Sequence, residues 1–259
     1  MLLYSNIYLT IFYSTIIIFL NFYIFKSVSK YLLIDINIAK IIFFNHLIFS
    51  IIFFLNDFFS LFNLTPGSDS LSFYLNTEQK ILFEKISFYP GHNFLYYLTF
   101  VLKKLFLDFF SMNLLFGFLG SLSILIFYGS VSKYILSKLD KFAVLIFILL
   151  PSYNFWTSGI SKDVLTALAL SLILLSFTKN NFKFLIFSII LLFFVRVHLA
   201  LLVILSLFVS FSLLSIMAMF SKKEIYLFNF NFKKKYLLLF FSFLLILFSL
   251  IIKKFFYSN

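Results

Sequence analysis

Leu150-Pro151-Ser152-Tyr153-Asn154-Phe155-Trp156-Thr157-Ser158-Gly159-Ile160-Ser161-Lys162-Asp163 lies where one apolar run, 142 to 156, gives way to another, 164 to 178. Pro151 interrupts helical hydrogen bonding, and behind it come hydroxyls, aromatics and an adjacent Lys-Asp pair. In a chain this apolar, backbone that leaves the helix beside a bilayer and carries ionisable groups is tolerated mainly where it is buried in protein or lines a wet cavity. The stretch therefore marks a junction between membrane helices and a candidate functional site.

Composition agrees with the first half of that reading. Apolar residues make up 63% of the chain and the mean hydropathy is +1.10; 44 Phe, six Gly, three Pro and no Cys among 259 residues describe a polytopic membrane protein. Without Cys there are no disulfides, thiolate metal sites or Cys nucleophiles. Three His are too scattered to suggest a metal site by spacing. The net charge of +12 comes from 20 Lys and one Arg, and reads as loop lysines that set topology rather than as a nucleic-acid surface. Membrane lipid is an expected partner; nucleic acid is not. The Phe, Ile, Lys and Asn bias is compositional and carries no functional weight.

Crossing a hydrocarbon core of about 30 Å takes about 20 apolar residues. Windows of that character fall near 7 to 25, 41 to 62, 112 to 131, 142 to 156, 164 to 178, 184 to 195, 199 to 220 and 236 to 252. The expectation is an all-α bundle of about eight spans, one integral membrane domain over 1 to 259. The first window lacks the basic flank and small-residue cleavage site of a signal peptide. The longest non-spanning region, 63 to 111, is expected as an extracytoplasmic loop. Within it, 94 to 110 repeats apolar residues at helical spacing while Lys103, Lys104 and Asp108 interrupt them, the pattern of an amphipathic helix in the interface.

Orientation follows from the lysines. With the N-terminus outside the plasma (inner) membrane, 13 of the 21 Lys and Arg, Lys26, Lys30, Lys133 and Lys138 among them, fall on the cytoplasmic side and 8 on the other. Asp69, Glu78, Glu84, His92, Lys162, Asp163, Arg196 and His198 then share the outer face. With no soluble catalytic domain, any chemistry falls to short loops and helix ends at the membrane surface.

Each of those groups has a plain reading beside a functional one. Pro66-Gly67 makes a turn and Ser68-Asp69-Ser70 can cap the next helix; alternatively Asp69 takes a proton from an acceptor hydroxyl or holds a divalent cation. Glu78 and Glu84 with Lys80 and Lys85 read as a solvated face. His92, after the Pro90-Gly91 turn, is either structural or a donor to a phosphate or sugar hydroxyl. Ser161 or Asp163 can cap the helix from 164 onwards, where amides and the helix dipole attract anions and Lys162 adds a mobile charge. Arg196-Val197-His198 interrupts apolar sequence, where a charge costs at least about 2.5 kcal/mol at mid-bilayer. A tight outer turn would bring Arg196 and His198 near Lys162 and Asp163, its planar fork matching a phosphate or pairing with Asp163 to tie two helices together.

Taken together, Gly67-Ser68-Asp69 with Tyr74, the Pro90-Gly91 junction, Leu150-Pro151-Ser152 with Phe155-Trp156-Thr157-Ser158-Gly159 and Lys162-Asp163, and Arg196-Val197-His198 resemble the polytopic sugar-transfer proteins of bacterial surface polysaccharide synthesis. These are the GT-C class polyprenol-dependent glycosyltransferases and the exopolysaccharide and O-antigen polymerases. The resemblance covers roughly residues 41 to 205. It implies a GT-C-like fold, a polyprenyl-(pyro)phosphate-linked sugar as donor, a saccharide acceptor, and Asp69 as the catalytic carboxylate. His92, Trp156, Ser161, Lys162, Asp163, Arg196 and His198 form the candidate substrate-binding set. Many relatives carry Pro between the Arg and His, where this chain has Val197, and the chain is short for such families. Two other classes stand beside this one: a flippase or transporter of a lipid-linked saccharide, whose charged groups belong near mid-bilayer, and a non-catalytic accessory protein of a polysaccharide complex.

Overall fold

A computed structural model describes residues 7–59, 69–105 and 108–221. Among them the chain is helical and contains no strand: α1 (Ile7–Leu32), α2 (Ile36–Phe59), α3 (Asp69–Leu75), a π-helical turn (Gln79–Phe83), α4 (His92–Lys104), α5 (Phe109–Ser132), α6 (Lys138–Ile148), α7 (Pro151–Trp156), α8 (Lys162–Lys179), α9 (Phe182–Val195) and α10 (Val197–Ser221). Among the described residues three helices are long and apolar enough to cross a membrane, Tyr8–Leu32, Ile36–Asp57 and Phe109–Ser132; Phe182–Val195 and Val197–Ser210 are apolar but shorter. The window expected at 236 to 252 lies outside the described residues, as does Thr65–Ser68.

The chain forms two compact units, 1–197 and 198–259. In the second, the described part is the body of α10. Its Ser210 and Ser212 hydroxyls donate to the carbonyls four residues back, Ser206 at 2.7 Å and Phe208 at 2.9 Å, which keeps each hydroxyl satisfied without leaving the helix.

The first unit is organised around α5, which packs against α1, α2 and α8. Gly117 and Gly120 are what let α2 and the segment after α7 come so close. A Cβ on Gly120 would stand 2.0 Å from the Thr157 carbonyl oxygen, and one on Gly117 would stand 1.8 Å from Ser50 Oγ. Connections are made by residues that tolerate left-handed backbone. Asn180 (φ 49°) ends α8 and Asn181 caps α9 by accepting from Lys183 N at 3.0 Å, so two asparagines turn α8 back on itself as a helical hairpin.

Two of the expected helices differ from the pattern read along the sequence. The run 142 to 156 is one helix by hydropathy, yet Pro151 ends α6 at Ile148 and starts α7 afresh from the first-turn position that proline favours. The amphipathic helix stops at Lys104 rather than continuing to 110, because Asp108 caps the next helix by accepting from Ser111 N at 2.7 Å and thereby assigns Phe109 to α5.

Side-chain contacts show which helix ends lie together. Lys133 Nζ at the end of α5 donates to Thr178 O near the end of α8 (2.7 Å), and Lys179 Nζ donates to Tyr31 O at the end of α1 (3.1 Å). Three helix C-termini thus meet, and those of α8 and α1 each supply a carbonyl that a lysine satisfies. At the opposite end, Ser14 of α1 meets Ser111 of α5, and Phe54 of α2 packs on Phe109 and Phe110. The α3 and α4 helices, the start of α8 and the end of α9 also gather there, around a core of Phe73, Leu95, Met112, Phe116, Ile160 and Val195. The ends of α1, α5 and α8, with Lys133 and Lys179, therefore mark one end of the unit and the candidate site the other. Reporter fusions after Lys30 and Lys138 are expected to score cytoplasmic and fusions near Thr77 and Ser161 extracytoplasmic; any fusion pair from one end reporting opposite compartments would contradict this two-ended arrangement.

Candidate functional site

Four separate segments deliver charged groups to that end. Asp69 begins α3 with its side chain exposed, and the helix is anchored behind it by Phe73 and Tyr74, both buried. Asn113 of α5, itself fully buried, accepts from Ser70 Oγ and from Ile160 N, each at 3.3 Å. One amide thereby ties the neighbour of Asp69 to the approach of Lys162. Nothing in its sequence surroundings distinguishes Asn113 from a solvated asparagine except its place at the start of the apolar window 112 to 131.

His92 begins α4. The turn before it is held by Gly91, whose φ of 96° suits glycine and whose N–H donates to Phe194 O at 2.7 Å, joining the turn to the end of α9. The His92 ring stacks on Phe73, with centroids 5.7 Å apart and planes inclined by 28°. Asn93 Nδ2 donates to Ser87 O and Tyr97 OH to Ile86 O, so the loop below is closed on its own helix.

Residues 157–161 run buried from α7 into α8, apart from Ser161. Ser161 is the cap: its hydroxyl accepts from Val164 N at 3.4 Å and donates to Trp156 O at 3.3 Å. Trp156, at the end of α7, is more than half exposed, with its ring edge-on to Phe155. Lys162 and Asp163 follow in the first turn of α8. Arg196 closes α9, its N–H returned to Leu192 O and its guanidinium forming an ion pair with Asp163. The pair is about one-third to one-half exposed and ties α9 to α8, so the helix-tying reading of Arg196 describes one of its contacts. The other guanidinium N–H groups, and the Lys162 ammonium, have no hydrogen-bond partner among the described residues.

Electrostatics joins the segments. Burial and the neighbouring Lys162 ammonium hold the His92 imidazole below its ordinary range, against the pull of Asp69. Burial and Arg196 likewise lower Lys162, while Asp69 and Asp163 oppose them. Asp69, His92, Asp163 and Arg196 are therefore each near enough to Lys162 to sense its charge. With His92 held towards its neutral form, Lys162 and Arg196 face two carboxylates, one of them paired with Arg196, so the cluster balances in charge while keeping N–H donors to spare. Among the described residues no group of three or more His, Asp or Glu is placed to share a metal ion. The donor set suits an anion.

Glu78 and Glu84 belong elsewhere: Glu84 pairs with Lys80 at 2.7 Å, and Glu78 lies 3.6 Å from Lys103, whose ammonium also sits over the Tyr74 ring. His198 belongs to the second unit.

The lowered His92 titration has a testable sign. The folded chain binds this proton less readily than the unfolded chain, so His92 costs nothing well above the ordinary histidine value of about 6.5 and destabilises increasingly as pH falls through and below it. His92→Gln is expected to make the melting temperature fall less than wild type between about pH 7 and 5. Parallel curves for the two proteins would show that His92 does not sense this environment.

Comparison of the chain with protein-family models, with curated proteins and with solved structures finds no match.

Proposed function

We propose that the chain is a membrane glycosyltransferase or polymerase of surface polysaccharide synthesis, acting on a sugar carried by a polyprenyl phosphate or pyrophosphate. The observation that carries this reading is the cluster of Asp69, His92, Lys162, Asp163 and Arg196 at one end of an apolar bundle. A lipid-linked phosphate brings its own acceptor oxygens and its own apolar tail, and this is a place where the Lys162 ammonium and spare Arg196 N–H donors lie beside apolar helices. The GT-C-like architecture of about eight spans and the outward orientation of the N-terminus belong to the same proposal.

The chemistry follows from the groups present. An acceptor hydroxyl oxygen attacks the anomeric carbon and its proton passes to the Asp69 carboxylate. The bond from that carbon to the phosphate oxygen breaks, and the electron pair leaves on the phosphate. The leaving group is already a stabilised anion, so positioning and charge stabilisation matter more than a strong acid. Arg196 supplies N–H donors left over from its pair with Asp163, and Lys162 supplies a point charge. His92 offers a ring nitrogen to a phosphate or hydroxyl.

The transporter reading draws on one observation, a histidine midway along α2. That ring, His46, is 1% exposed and already hydrogen bonded, so the bundle end carries more weight. The test is binding in lipid nanodiscs of undecaprenyl phosphate against undecaprenol. Saturable binding of the phosphate lipid alone, weakened by about tenfold or more in Arg196→Gln, is expected. Equal binding of both lipids, or of neither, would sink the proposal.

A further inference from the structure

The hydrogen bonds of His46 raise a question of proton count. Nδ1 lies 2.9 Å from Asn154 Oδ1 and Nε2 lies 2.9 Å from the Thr157 carbonyl oxygen. The orientation of the Asn154 amide is settled by its other end, where Nδ2 donates to the carbonyls of Ile148 and Leu150, each at 2.9 Å; Oδ1 is therefore the acceptor facing the ring. Thr157 Oγ1, 3.4 Å from Nε2, donates its own proton to Tyr153 O at 2.8 Å and offers the ring only lone pairs. Both ring nitrogens thus face acceptors. A neutral imidazole has one N–H and satisfies one of them; the imidazolium has two and satisfies both.

We infer that His46 is a positioning residue that works as a proton-dependent latch: as imidazolium it holds α2 to both Asn154 and Thr157, and on losing a proton it releases one of the two. The latch grips the segment that leads into the site. Thr157 and Ser158 are buried, Gly120 of α5 has no side chain to fill the space between Thr157 and His46, and Asn113 fixes Ile160 from the other side. Ser161, Lys162 and Asp163 follow directly. The consequence for sugar transfer rests on the proposed function; the latch itself does not.

The surroundings make the charge state depend on these contacts. Of the elements packed against α2, α5 has no charged residue and only Tyr128 to titrate, α7 has only Tyr153, and residues 157–161 have none. On α1 the charged groups are Lys26 and Lys30, with Tyr8, Tyr13, Tyr23 and Tyr31 as further titratable ones. On α2 itself Lys40 precedes His46 by about 9 Å along the helix axis and Asp57 follows by about 17 Å. Among the described residues no carboxylate touches the ring, so there a charge is stabilised by the two carbonyl acceptors.

The test uses the full chain in lipid nanodiscs with 15N-labelled histidine. His92→Gln and His198→Gln assign the resonances, since the chain has three His. Between about pH 8.5 and 4.5 the His46 ring is expected to pass from one protonated nitrogen to two. Over the same range, hydrogen-exchange protection of the amides of 157–161, corrected for intrinsic exchange, should rise by about tenfold, the worth of one hydrogen bond to a charged group. His46→Gln should remove that rise. A single neutral tautomer across the range, or a ring that titrates while protection stays flat, would overturn the latch. Should His46→Gln fail to accumulate, the wild-type measurements decide alone. Neither readout involves lipid or sugar, so failure here is separate from failure of the proposed function.

Discussion

Asp69→Asn is expected to lower sugar transfer by about 10²-fold or more while the protein still inserts and accumulates. Asparagine keeps the volume and can still cap the first turn of α3, so a residue that only starts a helix would tolerate the change. The geometry makes this a sharp comparison. Asp69 is exposed, has no hydrogen-bond partner for its carboxylate among the described residues, and senses His92 and Lys162 from different segments. Its carboxylate is available to an acceptor hydroxyl. Arg196→Lys belongs in the same experiment because it keeps the charge opposite Asp163 and loses the planar fork. A residue that serves only the ion pair would accept lysine; one that also holds a phosphate would not, and a defect of about tenfold or more is expected. The measurement is transfer from a polyprenyl-phosphate-linked sugar by purified variants, with accumulation followed in parallel. Wild-type rates from both variants would remove the proposed active site.

Gly120→Val is expected to deplete the folded protein. Its first side-chain atom would stand 2.0 Å from the Thr157 carbonyl oxygen and 2.5 Å from His46 Nε2, and neither atom can retreat without giving up the hydrogen bond between them. Overpacking a core costs about 1–3 kcal/mol when side chains can adjust. Here backbone must move, so the cost belongs at the upper end or beyond, against a total stability of about 5–15 kcal/mol. Gly129→Ala is the control, since its nearest neighbours are side-chain atoms of Ile34 and Leu32 at 2.9 to 3.1 Å. Thermal melting followed by size-exclusion chromatography in detergent should give a large drop for Gly120→Val and a smaller one for Gly129→Ala. Equal melting temperatures for wild type and Gly120→Val would mean that α5 and the 157–161 segment are not in contact.

By itself the sequence determined the material of the molecule. Hydropathy over about 20 residues reports burial in an apolar medium whatever the neighbours are, which is why α1, α2 and α5 were legible, and Pro151, Asn180 and Asn181 act through local backbone chemistry that no partner is needed to explain. The charges of Asp69, His92, Lys162, Asp163 and Arg196 stood out because ionisable groups near membrane helices are costly. What only the tertiary structure decided is which of these meet. Arg196 pairs with Asp163 because the two-asparagine turn folds α9 back along α8, and Asp69 comes within reach of Lys162 because Asn113 holds both approaches. In the sequence His46, Asn113 and Asn154 are polar residues within apolar runs. Their roles depend on partners 43 to 111 positions away, and a hydrogen bond across that separation leaves no periodic trace in the chain. It forms only when glycines at 117 and 120 let the helices approach closely enough to make it.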